Sequence, residues 1–257
     1  SGAVELLKQL DGDMIEVLRR DDQVTCYVPK GSESALNHAV PAAPFSQVDR
    51  LVLERISEHY QAEKLGVERV AGFQSDIYVL VSDEWRYKHK LWLEKETKLL
   101  LQSELIDHQG QVLEQFRFTR LELGGQIDGE DLEPTVSDET TVMQQMIRRE
   151  PRVPPEDHDF ISQVSWVPKG YVATNVVKVE RSIGWLEKRT YSDGLTSFSI
   201  FAEKNNQADL MPSAKAKMGA TSAFMVFKSG LSLTVVGEIP NETAKRIAEG
   251  VVVSSAL

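Results

Sequence analysis

The chain has a single cysteine among 257 residues, so it can form no intramolecular disulfide framework, and its redox compartment is left open. That residue, Cys26, lies in the strand-like run VTCYV, where a buried, inert thiol is favoured over a reactive one. Long apolar runs are missing too: none approaches the roughly 18 uncharged residues of a spanning helix, so no membrane span is expected. Basic residues are outnumbered, 29 against 39 acidic, and the net charge of −10 excludes nucleic acid as a natural partner. There is no Gly-rich phosphate loop, GxSxG elbow, HExxH or CxxC. The five histidines, His38, His59, His89, His108 and His158, are scattered singly. Asp157-His158-Asp159 is the one tight acid/histidine cluster, and three adjacent residues point in different directions, as in a solvated loop. The expectation is accordingly no catalytic residue, no metal, no cofactor and no enzyme. No solenoid repeat or low-complexity tract is present. The N-terminus carries no signal-like stretch, and Ser1 and Gly2 fit a cloning scar.

What the chain does have is an ordinary globular composition, 41% hydrophobic and 26% charged, and enough length for two domains. Ser75 to Leu123 holds four apolar runs separated by polar turns, an antiparallel meander. Ile77, Val79 and Val81 share one side of the first run. In the second, Tyr87, His89, Leu91 and Leu93 lie opposite Arg86, Lys88 and Lys90, the period of two of a strand with one wet face. Leu99 to Ile106 is apolar on both faces, and Val112, Phe116 and Phe118 share a face of the last run. His89 on the apolar side reads as a hydrogen-bonded core histidine before a catalyst. Glu94 and Glu96 read as a solvated hairpin tip.

Upstream, VELLKQL and MIEVLRR meet at Asp11-Gly12-Asp13, a hairpin signal that predicts further strands of the same meander. After a Pro-rich loop from Pro29 to Pro44, Ser46 caps a helix predicted to run to about Tyr60, with Val48, Leu51, Val52, Ile56 and Tyr60 at helical spacing. Four strands of about eight residues make a face roughly 19 Å by 26 Å. A 15-residue helix, about 22 Å long and 10 to 12 Å across, covers about half of it. The remainder needs other elements of this chain or an apolar ligand.

From Gly124 to Gln163 glycine, proline and acidic residues predominate, which reads as an interdomain linker. Within it Ser137 to Arg149 can form a short helix with Val142, Met143, Met146 and Ile147 on one side. Downstream, a hairpin is predicted at Asp193-Gly194 and another at Ser229-Gly230. A short helix capped at Pro240-Asn241 and stopped at Gly250 packs the sheet. The predicted domains are 1–130, a flexible linker at 131–163, and 164–257. Trp166, Tyr191, Phe198 and Phe201 suit core packing better than recognition, so the residues alone suggest a two-domain binding protein.

Three blocks of the first domain, ERVAG at Glu68 to Gly72, RYKHKLWLEKETKLLLQSELID at Arg86 to Asp107 and GQVLEQFRFTRL at Gly110 to Leu121, resemble the MucB/RseB family. So do SWVPKGY at Ser165 to Tyr171, TYSDGLTSFSI at Thr190 to Ile200 and VVGEIPNETAKRIAEGV at Val235 to Val251, in the same order. The resemblance implies an α+β protein of the periplasm. Its large domain would be a lipoprotein-carrier-like half-open antiparallel β-barrel over helices, and its small domain an α/β module of antiparallel sheet and one helix. It also implies a negative regulator of the extracytoplasmic sigma-factor response. Such a protein binds the periplasmic domain of a MucA/RseA-like anti-sigma factor, protects it from regulated proteolysis and is released by lipid or lipopolysaccharide. A periplasmic lipid or lipoprotein carrier is the alternative.

Family members begin with a signal sequence, a helix and further strands before the LLKQLDG segment, so the first barrel strands are expected to be absent. The apolar face is then open to self-association as a homo-oligomer. Under the resemblance the lipid cavity falls to Leu51, Ile56, Ile77, Val79, Tyr87, Leu91, Leu93, Leu101, Phe116 and Phe118, and the partner surface to Trp166, Tyr191, Leu195 and Phe198.

Overall fold

The computed structural model describes residues 4–9, 14–20, 23–31, 56–146, 162–180, 184–205 and 212–253. Two compact units emerge, one made of Ser1–Ser46 with Glu122–Pro151 and the other of Gln47–Leu121 with Arg152–Leu257.

In the first unit β1 (Val4–Lys8), β2 (Glu16–Arg20) and β3 (Gln23–Pro29) are joined by β9 (Thr140–Met146) in the order β1-β2-β3-β9. Leu7, Val17, Cys26 and Met143 are successive cross-strand partners and share one face. Ile15, Val17 and Val28 are buried, with Val24 and Cys26 packed against them. Two expectations are corrected here. The strands β1 and β2 were assigned to the meander, yet they pair in this separate four-stranded sheet. The short helix anticipated within 137–149 is instead the strand β9, whose seven residues all pair with β3. Thr140, Thr141 and Val142 are β-branched and stiff at χ1, and they gain a complete ladder where a short solvated helix would gain little. The Asp11-Gly12-Asp13 turn lies outside the described residues.

In the second unit the meander is a five-stranded antiparallel sheet of β4 (Gln61–Val70), β5 (Phe73–Val81), β6 (Lys88–Glu94), β7 (Leu100–Ile106) and β8 (Val112–Arg117), in that order. Strand β4 was not anticipated. It is an edge strand, exposed at nearly every position, with a register shift between Lys64 and Gly66 that breaks the alternation. Of the predicted helix only residues 56–59 are described, and they are helical, with Tyr60 N–H donating to the Ile56 carbonyl at 2.8 Å.

The rest of this unit begins with β10 (Ser162–Val164), which pairs with β17 (Val251–Val253). A six-stranded antiparallel sheet then contains β11 (Val172–Glu180), β12 (Trp185–Ser192), β13 (Ser197–Lys204), β14 (Ala214–Met218), β15 (Thr221–Lys228) and β16 (Leu231–Gly237). Its order is β11-β12-β13-β16-β15-β14. Both predicted hairpins form: β12 meets β13 at Asp193-Gly194, and β15 meets β16 at Ser229-Gly230. The helix α1 (Asn241–Gly250) buries Ala244, Ile247 and Ala248 in one cluster with Phe198, Ile200, Leu233 and Val235. Truncating one such residue, Ile247→Ala for example, costs about 2 to 5 kcal/mol.

The architecture is therefore mostly antiparallel sheet with few helices. Among the described residues no ring of strands closes into a barrel, and no helix is long and apolar enough to cross a membrane.

Candidate functional site at the junction of two sheets

Two tight turns bring the five-stranded and six-stranded sheets together. In the turn before β6, Asp83 Oδ1 accepts the Trp85 N–H at 3.1 Å, an Asx turn that presents Arg86 inward. In the β12–β13 hairpin, Asp193 Oδ1 accepts the N–H groups of Leu195 at 3.0 Å and Thr196 at 2.9 Å, and Gly194 takes a φ of 103°. Asp193 thereby folds its own hairpin and keeps Oδ2 for another partner. Arg86 Nε and Tyr60 Oη both donate to that oxygen, each at 2.8 Å.

Arg86 is 2% exposed and Asp193 fully buried, so their pairing takes place away from water. The guanidinium is satisfied on every side: Nη1 donates to Asp83 Oδ2 at 2.6 Å and Nη2 to the Lys169 carbonyl. Its carbon lies 4.8 Å from the Tyr171 ring centroid and 5.7 Å from that of Tyr60. Tyr171 Oη in turn shares a short hydrogen bond with Thr196 Oγ1.

Burial pushes the Asp193 carboxyl up. The Thr196 N–H, the Arg86 guanidinium, the Leu195 N–H and the Tyr60 hydroxyl outweigh it and hold the group below the ordinary aspartate range. Burial likewise opposes charge on Arg86, but the Asp193 hydrogen bond and charge prevail and raise its pKa. Tyr60 and Tyr171 are both pushed well up, chiefly by burial and then by the negative charge of Asp193. His89 meets Tyr60 edge to face at 5.9 Å, and burial pushes it down to about 4. A carboxylate that accepts from both sheets and stays charged is suited to hold a junction.

A second layer lies beside the first. Trp85 meets Trp166 edge to face at 5.0 Å, and Arg246 of α1 covers both indoles. Thr243 Oγ1 donates to the Trp85 carbonyl at 2.9 Å, which ties α1 to the Arg86 turn. Further along the seam Glu114 Oε1 accepts the Ala220 N–H at 3.1 Å, and Tyr87 packs with Leu105 and Ala220.

The residues assigned to a lipid cavity fall on two faces of the five-stranded sheet. Leu91 pairs with Tyr78 and Ser103, and Ser103 pairs with Phe116, so Leu91, Leu93 and Phe116 share a face with Tyr87 and His89. Ile77 and Val79 pair with Trp92 and Lys90 on the other face, where Leu101 joins Ile77, Trp92 and Val70. Phe118 touches Phe116 at 5.0 Å between centroids. Ile56 is buried, and Leu51 lies outside the described residues. A recess of about 400 Å³ sits elsewhere, at the β4–β5 turn, lined by Val67, Glu68, Arg69, Gly72 and Gln74.

Of the partner residues, Phe198 is a core side chain, 1% exposed, with Tyr191 stacked on it at 5.2 Å and Leu195 in the Asp193 turn. Trp166 belongs to the second layer. Arg86, Asp193, Tyr60, Tyr171 and Arg246 were not singled out from the sequence. Arg86 was placed on the wet side of its strand, but it precedes β6 and points into the junction. The available signal for Asp193 was an Asp three residues before a Thr in a turn, which marks a local Asx motif and says nothing of a distant arginine. Among the described residues no three His, Cys, Asp or Glu side chains are grouped to hold a metal. Asp157, His158 and Asp159 lie outside them.

Comparison with known proteins fits these observations. Residues 1–136 match the MucB/RseB N-terminal domain and residues 156–252 the MucB/RseB C-terminal domain. The sigma-E factor regulatory protein RseB of Haemophilus influenzae is 28% identical over 247 residues, 95% of this chain and 76% of that protein. The sigma factor AlgU regulatory protein MucB of Pseudomonas aeruginosa is 29% identical over 259 residues, 96% of this chain and 76% of that protein. The structure of the Pseudomonas aeruginosa MucA/MucB complex aligns with a TM-score of 0.78 at 26% identity, over 99% of this chain and 84% of that one.

Proposed function

The chain belongs to the MucB/RseB family, and from that premise we propose that it is a periplasmic negative regulator of an extracytoplasmic sigma-factor response. It binds the periplasmic domain of a MucA/RseA-like anti-sigma factor and shields it from regulated proteolysis, and lipid or lipopolysaccharide releases it. The observation that carries this reading is the likeness to MucB in its complex with MucA, which extends over 99% of the chain. The activity is binding, with no catalytic step.

In this reading the five-stranded sheet is one wall of a carrier-like half-open barrel, and the Leu91, Leu93 and Phe116 face is its lipid seat. Trp166, Tyr191 and Leu195 border the seam where the partner docks, with Phe198 supporting Tyr191 from beneath. Lipid and partner favour different states of the junction that Arg86 and Asp193 hold. Such linkage needs a difference of about 1 to 3 kcal/mol, roughly 5- to 150-fold in affinity.

The test is titration calorimetry with a purified MucA-type periplasmic domain, with and without lipopolysaccharide. A complex that weakens about tenfold or more with the lipid, and that slows cleavage of the partner by its protease, is expected. No complex at any concentration overturns the reading and favours the carrier, and an affinity indifferent to lipid removes the release step.

A further inference from the structure

Arg246 makes no ion pair and no hydrogen bond among the described residues. On α1 it has Glu242 one turn before it and Glu249 one turn after, the spacings at which helical ion pairs form. It pairs with neither, and its guanidinium carbon instead lies 4.5 Å from the Trp85 ring centroid and 4.1 Å from that of Trp166. The two indoles meet edge to face and come from separate segments, the turn before β6 and the loop after β10. The Thr243 hydrogen bond to the Trp85 carbonyl fixes the helix against that turn. A long, flexible cation is thus held in one place before any ligand arrives.

Every polar side-chain group of the cluster is a donor. Arg246 offers five N–H bonds and each indole one, and neither indole N–H has an acceptor among the described residues. A tryptophan or an arginine accepts no hydrogen bond, so the ligand must bring the acceptors. In a chain of net charge −10 an exposed arginine free of carboxylates is a local exception. A planar guanidinium fork matches a carboxylate in two parallel hydrogen bonds, and holding it on the indoles lowers the entropy lost on binding.

We propose that Arg246, seated on Trp85 and Trp166, is the receptor for a carboxylate side chain of the anti-sigma partner. This rests on the partner reading above and names the chemistry of one contact in it. A lipid phosphate would satisfy the same fork, so the experiment separates the two.

The full-length chain and its Arg246→Gln, Arg246→Lys and Arg246→Glu variants are titrated with a purified MucA-type periplasmic domain at two salt concentrations, with folding checked by circular dichroism. Arg246→Gln is expected to weaken binding by about 10- to 100-fold and to flatten the salt dependence. Arg246→Lys, which keeps the charge without the fork, weakens it by a similar factor, and Arg246→Glu by more. A parallel titration uses vesicles containing phosphatidylglycerol. If the unsubstituted chain binds the partner and all three variants bind it equally well, this assignment fails and the partner reading stands. If only vesicle binding is lost in Arg246→Gln, the seat takes phosphate and the assignment is again overturned. If the unsubstituted chain binds no partner, both fall together.

Discussion

Arg86 and Asp193, 107 positions apart, form a buried ion pair with Nε and Oδ2 2.8 Å from each other, and through it the turn before β6 is fastened to the β12–β13 hairpin. Three further groups complete the arrangement: Tyr60 on the shared oxygen, Asp83 on Nη1 and the Lys169 carbonyl on Nη2. The pair is worth most as a device of specificity, because desolvation cancels much of its attraction.

Removing one partner leaves the other charged and buried. Asp193→Ala or Arg86→Ala is therefore expected to destabilise the chain by about 3 to 5 kcal/mol, read as a lower urea midpoint. Replacing both together, Arg86→Met with Asp193→Leu, removes the lone buried charge and recovers part of that loss, the remainder being the Leu195 and Thr196 N–H groups, the Tyr60 hydroxyl and the Lys169 carbonyl left without their partners. A double variant as unstable as the sum of the singles refutes the account.

Acid weakens the fold through His89. Its pKa is about 4 when folded, against the ordinary 6.5 of the unfolded chain, so between those values only the unfolded chain binds the proton. Unfolding then takes up a proton, and stability rises with pH through the window and levels off above 6.5. The total is on the order of 3 kcal/mol. In His89→Gln the urea midpoint measured between pH 4 and 6.5 becomes flatter. The slope left at the acid end comes from carboxylates such as Asp193, Asp76 and Glu94, whose depressed folded pKa values mean that the unfolded chain takes up their protons first, while Glu238, raised by burial, acts in the opposite sense.

Gly170 follows the carbonyl that receives Arg86. Its φ is +93°, and a Cβ there would stand 2.1 Å from the His59 ring. Gly170→Ala combines a left-handed backbone with a displaced ring and costs about 1 to 3 kcal/mol. The thermal midpoint falls accordingly, whereas Gly72→Ala, with a φ of +91° and open space around it, pays the backbone strain alone.

The two faces of the five-stranded sheet separate lipid binding from stability. Phe116→Gln on the Leu91 face is expected to weaken uptake of a fluorescent fatty acid by about tenfold. Val79→Gln, equally half-buried on the opposite face, leaves uptake unchanged. Equal losses from both substitutions exclude a one-sided seat.

Much of the local structure could be read from the chain. The meander read over Ser75 to Leu123, which forms as β5 to β8 between Phe73 and Arg117, the Asp193-Gly194 and Ser229-Gly230 turns and the Pro240-Asn241 helix start all depend on neighbouring residues, and all form. Strands β4, β9 and β14 were missed because each is an edge strand. Apolar residues such as Leu65, Val67, Val142 and Met218 stand exposed on these strands, so there is no one-sided alternation to read, and what commits each to sheet is a ladder partner, distant in sequence for β9. The sequence alone groups Ile77 with Leu91, because alternation within a run fixes sides only relative to that run. Which side of β5 faces which side of β6 depends on the register, here Ile77 opposite Trp92. The junction was the least legible part. An arginine beside two lysines resembles a solvated face, and only the folded chain places an aspartate 107 residues away within reach of it.

The carboxylate of Asp193 takes three of its hydrogen bonds from its own hairpin and two from the other side of the junction. One half of the fastening is thus preassembled by four consecutive residues before the sheets meet. Were the sheets to part, the hairpin would keep its shape and the acceptor its aim, while Arg86 would give up Asp193 and the Lys169 carbonyl but keep Asp83, and Tyr60 would give up Asp193. The Arg86 turn is likewise held by its own Asp83, through the Trp85 N–H and Nη1, so both halves of the fastening are shaped locally and closure has few side chains left to order.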